Sequence, residues 1–162
     1  MVTVSAKPAP QEKTYSYTFS SKQFSAEGTK TLGGVDWTFD FSGTSEVYYG
    51  LDNSKGQQFG SGKQPARGTS TLTASASEFG QGIVGVKINA STASSGNTTM
   101  SINIGTTQYL SSRSLTSTAT DYGGSKLANP AGVNENDEIV ITFVTNADKA
   151  FYIKSITVYY LE

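Results

Sequence analysis

The segment Val35-Asp36-Trp37-Thr38-Phe39-Asp40-Phe41 decides how this chain is read. Successive side chains of a strand point to opposite faces, so Val35, Trp37, Phe39 and Phe41 share one face, and Asp36, Thr38 and Asp40 the other. An apolar stripe of this kind is a half-buried strand facing a core, which assigns the only tryptophan to packing rather than to a ligand. Gly33-Gly34 supplies the turn before it.

The same alternation returns on either side. It appears in Thr14-Tyr15-Ser16-Tyr17-Thr18-Phe19, in Thr69–Ala76, and in Ile83–Ala90, where Val84, Val86 and Ile88 oppose Lys87 and Asn89. Thr98–Gly105 sends Met100, Ile102 and Ile104 inward, and Glu138–Thr145 sends Ile139, Ile141 and Phe143. Lys149–Tyr160 carries Phe151, Ile153, Ile156, Val158 and Tyr160, and its step of three after Ile153 predicts a β-bulge. Glu46–Leu51, Thr107–Leu110 and Ser114–Thr120 are weaker strand candidates, and Asp52–Arg67 reads as glycine-punctuated turns around at most a very short strand. No window has helical periodicity. About nine or ten short strands without helices predict an all-β fold, an antiparallel β-sandwich. Its core should include Trp37, Phe39, Val86, Ile88, Ile102, Ile141, Phe143 and Val158.

At 162 residues the chain has the size of one domain with a short tail. Residues 14–160 form the sandwich, and 1–13 read as a proline linker, Ala6–Lys13, behind the tail of a preceding domain. Leu161-Glu162 is either a cloning scar or a natural ending. The opening residues have no charged and apolar segments of a signal peptide.

Composition removes whole classes of function. There is no Cys and no His, so Ser-His-Asp and Cys-His catalysis, disulfides and the usual zinc sites are excluded. A net charge of -1 offers no basic face for nucleic acid, and no apolar run is long enough to insert in a membrane. Charged residues are only 15% against about 25% in an average protein. Serine and threonine fill 43 positions. Asp36 and Asp40 share a strand face at roughly 13 Å, too far apart for either glycosidase geometry. The chain is expected not to be an enzyme.

Three segments carry a family resemblance: Lys55-Gly56-Gln57-Gln58-Phe59-Gly60-Ser61-Gly62, Ile83–Ala90 and Lys149–Tyr160. In that order they resemble the jelly-roll modules, close to carbohydrate-binding modules, appended to secreted or surface proteins of bacteria. Val2-Thr3-Val4-Ser5 resembles the last strand of a bacterial immunoglobulin-like domain of the Big-2 type. The resemblance implies a jelly-roll sandwich at an extracellular address, secreted or on the cell surface, covalently linked to neighbouring domains. It brings no defined binding residues.

The site residues are therefore argued from chemistry. The expected ligand is a polysaccharide or oligosaccharide, bound by a monomer. Aromatic rings stack on the C–H faces of sugars, and amides match pairs of hydroxyls with one donor and one acceptor. Tyr48 and Tyr49 are consecutive, so one must leave the core. They precede Lys55, Gln57 and Gln58, which supply a cation and amides, although these glutamines would equally suit a structural corner. Tyr109 and Tyr122 are further candidates in polar surroundings. The alternative is a structural or adhesion module without a glycan site. An exposed aromatic pair would favour binding, and a Ser/Thr-covered surface the alternative. No cofactor is expected. Asn134-Glu135-Asn136-Asp137-Glu138 reads as a solvated acidic turn, while the jelly-roll resemblance leaves room for a structural calcium ion there.

Overall fold

The computed structural model describes residues 6–43 and 45–162. Val2–Ser5, read as the tail of a preceding domain, lies outside them. Twelve strands follow one another: β1 (Glu12–Thr18), β2 (Gly28–Leu32), β3 (Val35–Gly43), β4 (Tyr49–Asp52), β5 (Gly56–Phe59), β6 (Gly68–Ser75), β7 (Ile83–Thr92), β8 (Thr98–Ile104), β9 (Thr107–Ser114), β10 (Thr120–Gly123), β11 (Glu138–Thr145) and β12 (Phe151–Leu161). They form two six-stranded antiparallel sheets stacked as a jelly-roll sandwich. The first runs β10-β7-β12-β5-β4, with β1 also on β12, and the second runs β2-β3-β6-β11-β8-β9.

The eight residues expected inside are all fully buried. Four phenylalanines tie the sheets together in one stack. Phe39 of the second sheet lies 4.3 Å from Phe59 of the first, Phe59 lies 5.1 Å from Phe151, and Phe151 lies 4.5 Å from Phe143, again of the second. Trp37 is buried and donates its indole N–H to the Tyr15 hydroxyl at 3.2 Å.

The bulge stands where the alternation breaks. The β12–β7 register shifts between Ile153 and Ser155. Before it, Phe151–Ile153 pairs with β5, and after it Ser155–Leu161 pairs with β1. Lys154 at the bulge gives its carbonyl to the Phe19 N–H at 2.9 Å. One strand thus serves two neighbours on the same side.

Four features depart from the sequence reading. Strand β2 was not expected, because only Leu32 of its five residues is buried, so it has no stripe. Ser114–Thr120 is not a strand: β9 ends at Ser114, a loop follows, and β10 begins at Thr120. Ala76–Phe79 forms a single 3₁₀ turn. Strand β1 starts two residues early, since Glu12 and Lys13 find backbone partners opposite Leu161 and Tyr160.

Candidate functional site

Two consecutive amides define the site by their difference. On β5 the alternation sends Gln57 and Phe59 into the core and Gln58 to the outer face. Gln57 is wholly buried, and every polar atom of its side chain is used. Its Oε1 accepts the N–H groups of Gln23 and Phe24 at 2.8 and 3.1 Å, and its Nε2 donates to the carbonyls of Phe24 and Gly50 at 3.1 and 3.0 Å. Gln57 is the structural corner, with no atom left for a ligand. Gln58 is half-buried, with one N–H on the Gly60 carbonyl at 2.8 Å.

Gln58 belongs to a row that crosses three strands. It is paired with Gly50 of β4 on one side and Tyr152 of β12 on the other. Directly paired residues project to the same face, so Gly50, Gln58 and Tyr152 share the outer face of the first sheet. Tyr48 completes the row. A Cβ on Gly50 would lie 2.6 Å from a Tyr48 ring carbon, so the ring rests where that side chain would stand, and only glycine admits it. Tyr48 is 43% exposed, one of two large apolar side chains exposed among the described residues. The backbones of Gly50 and Tyr152 stand two strand spacings apart, roughly 10 Å.

The turn after β4 delivers the cation. Asp52 Oδ1 accepts the N–H groups of Ser54 and Lys55 at 2.8 and 2.9 Å and the Ser54 hydroxyl at 2.7 Å. These bonds hold the Asp52 carboxyl below its usual range. The chain then turns back through Gly56, at φ +85°, where a Cβ would meet the Ile153 carbonyl. So held, Lys55 places its ammonium 4.9 Å from the centre of the Tyr152 ring. Burial first, and the Asp52 charge second, raise the Tyr152 hydroxyl above its ordinary pKa.

Tyr49 turns the other way. It packs edge-on against Phe39 and Phe59 at 5.9 and 6.0 Å, and burial, helped by the Glu27 charge, pushes its hydroxyl up to about 12. The remaining two candidates stand apart. Tyr122 faces inward on β10, at the opposite edge of the sheet from β4, and its hydroxyl accepts the Thr116 N–H at 2.9 Å. Tyr109 donates to the Ser125 carbonyl at 2.5 Å and pins the loop after β10. Both rings serve the fold.

Of the sequence candidates, the fold thus brings Tyr48, Gln58 and Lys55 together and adds Tyr152, which sequence reasoning missed. The signal was present: Phe151 and Ile153 are core residues, so Tyr152 between them must face out. Near Tyr49 an open cleft of about 630 Å³ is lined by Glu27, Phe41, Glu46 and Val47 among others. In the acidic turn, Asp137 accepts the Asn134 N–H and side-chain amide at 3.2 and 3.1 Å. Among the described residues no three acidic side chains come together there or elsewhere.

No family model and no curated protein matches the sequence. Among solved structures the chain is similar to the C-terminal CBM6 of LamC, a marine laminarinase from Zobellia galactanivorans, at 10% identity, 90% of this chain, 98% of that one and a TM-score of 0.48. It is similar to a family 29 carbohydrate-binding module from Piromyces equi, at 13% identity, 91% and 90% coverage and a TM-score of 0.48. A third is CBM86, a low-affinity xylan-binding module from Roseburia intestinalis, at 10% identity, 94% and 96% coverage and a TM-score of 0.43. With TM-scores below 0.5, neither a ligand nor a calcium ion is transferred from these likenesses to this chain.

Proposed function

We propose that this chain is a non-catalytic carbohydrate-binding module, which holds a secreted or surface protein of bacterial origin, covalently joined to it, on a polysaccharide. One observation carries the reading: the exposed Tyr48 ring lies in one row with Gln58 and Tyr152 on an open sheet face. A sugar ring set on Tyr48 gains dispersion and excludes water, while Gln58 Oε1 and Lys55 meet its hydroxyls. An open face buries little area, so affinity should be modest. Affinity electrophoresis through gels of plant, storage and host polysaccharides tests this. Retardation by at least one polymer, lost in Tyr48→Ala, supports it; free migration in every gel sinks it.

The alternative, a structural or adhesion module, is favoured by a different observation. Outside the second sheet, Thr38 pairs with Thr73, which pairs with Val140, and Asp40 pairs with Thr71, which pairs with Thr142. That face is covered mainly by small hydroxyls and offers no aromatic platform. It is the surface expected of a spacer.

A further inference from the structure

Tyr48 and Tyr49, at the start of β4, face two different surfaces. Tyr48 stands on the outer face, and Tyr49 lines the open cleft of about 630 Å³ at the sandwich edge. The cleft has two aromatic walls, Phe41 and Tyr49, an aliphatic one, Val47, and two carboxylates, Glu27 and Glu46. Among the described residues no lysine or arginine lines it. Neither carboxylate enters an ion pair among the described residues.

Each acid accepts one hydrogen bond. Glu27 Oε1 accepts the Phe41 N–H at 2.6 Å, which fixes the carboxylate at the cleft and leaves Oε2 open. Glu46 Oε2 accepts weakly from Gln64 at 3.5 Å. The Tyr49 hydroxyl, held protonated by burial and by Glu27, adds no negative charge of its own and remains a donor. Two carboxylates and two aromatic side chains line one cleft with no cation among its described lining, and a neutral sugar has no use for that charge.

We propose that this cleft binds an ammonium group, supplied by an unacetylated amino sugar, with Glu27 and Glu46 as its counter-charges and Phe41 and Tyr49 as its aromatic walls. The inference rests on the carbohydrate reading and names the sugar class. One amino-sugar unit sits in the cleft, and the adjoining unit reaches Tyr48, whose backbone is the next along the chain. A charged donor between carboxylates makes the stronger kind of hydrogen bond, and acetylation removes the charge and adds bulk.

The test is calorimetry on the full chain with matched oligomers of glucosamine, N-acetylglucosamine and glucose, and with oligolysine. The glucosamine oligomer should bind about tenfold tighter than the other two sugars, since the charge is worth a strong pair plus a cation–π contact. Added salt should shrink that preference, because exposed charges are screened. Glu27→Gln and Glu46→Gln should each reduce the preference several-fold, and glutamine at 27 keeps the acceptor for Phe41. Tyr48→Ala should weaken all three sugars alike. Equal binding of the three sugars overturns the cleft assignment and leaves the carbohydrate reading intact. Binding of none overturns the cleft assignment, and the carbohydrate reading falls with it only if every polysaccharide gel also shows free migration; oligolysine binding as tightly as glucosamine overturns the sugar as the ligand.

Discussion

Between the core residues of β12 the outer face carries Tyr152, Thr157 and Tyr159, whereas between those of β6 it carries Thr69, Thr71 and Thr73. Both strands bury the same kind of residue inward: Ile153, Ile156 and Val158 in one, Leu72 and Ala74 in the other. Threonine satisfies the strand preference while exposing little apolar area, so the sandwich has no need of tyrosine outside. The first sheet nevertheless places Tyr48 and Tyr152 there, with an amide between them and a lysine over one ring. The alternation fixes what goes inward.

The sharpest form of that contrast is Gln57 against Gln58, and it predicts the largest effect. Gln57→Ala strands two buried N–H groups and two carbonyls, and should cost about 3–5 kcal/mol in urea unfolding. Gln58→Ala should cost under about 1 kcal/mol. Comparable losses would mean that the two glutamines do not divide between fold and surface.

Next come Tyr109 and Tyr122, the two tyrosines that stand apart from the row. Tyr109→Phe and Tyr122→Phe remove hydroxyls that hold the Ser125 carbonyl and the Thr116 N–H, and should each cost about 0.5–1.5 kcal/mol of stability. Polysaccharide retardation should not change in either. Weakened retardation in a folded variant would return Tyr109 or Tyr122 to the site.

Alkali probes the half-buried rings. Burial first, eased by the Trp37 hydrogen bond and aided by Tyr17, raises Tyr15 to about 12, and Tyr49 reaches about 12 for its own reasons. The fold favours their neutral forms, so their contribution is intact below pH 10 and drains away as pH rises from 10 through 12. Stability measured across that window should fall, and less steeply in Tyr15→Phe. An equally steep fall in that variant would contradict the assignment to Tyr15.

The smallest effect belongs to the hydroxyl face. Thr71→Lys should change stability by no more than about 0.5 kcal/mol and leave polysaccharide retardation untouched. Lost binding in that variant would move the site to the second sheet.

Much of the fold was legible because its strands are half-buried. Val35–Phe41 announced its face, and the Ile153–Ile156 step announced the bulge that lets β12 pair with both β5 and β1. Strands β2 and β10 were hidden because each buries at most one apolar residue, and pairing with a neighbour, not pattern, makes them strands. The site was half legible. Two adjacent tyrosines had to diverge, but which one is exposed depends on Gly50, whose missing side chain makes room for the Tyr48 ring. The partner Tyr152 lies 104 positions further on and is joined to the row by register alone. The cleft draws on segments around residues 25–27, 41–43 and 45–49, a meeting that no local pattern encodes.

The central claim is that the outer face of the first sheet binds a glycan through its tyrosine row. Affinity electrophoresis of the parent chain, Tyr48→Ala, Tyr152→Ala and Thr71→Lys, side by side in a gel of whichever polysaccharide retards the parent, tests it most directly. Removing either tyrosine should weaken binding by about 1–2 kcal/mol, a visible loss of retardation, while Thr71→Lys should migrate with the parent. Unchanged retardation of both tyrosine variants, with folding verified by circular dichroism, would contradict the account.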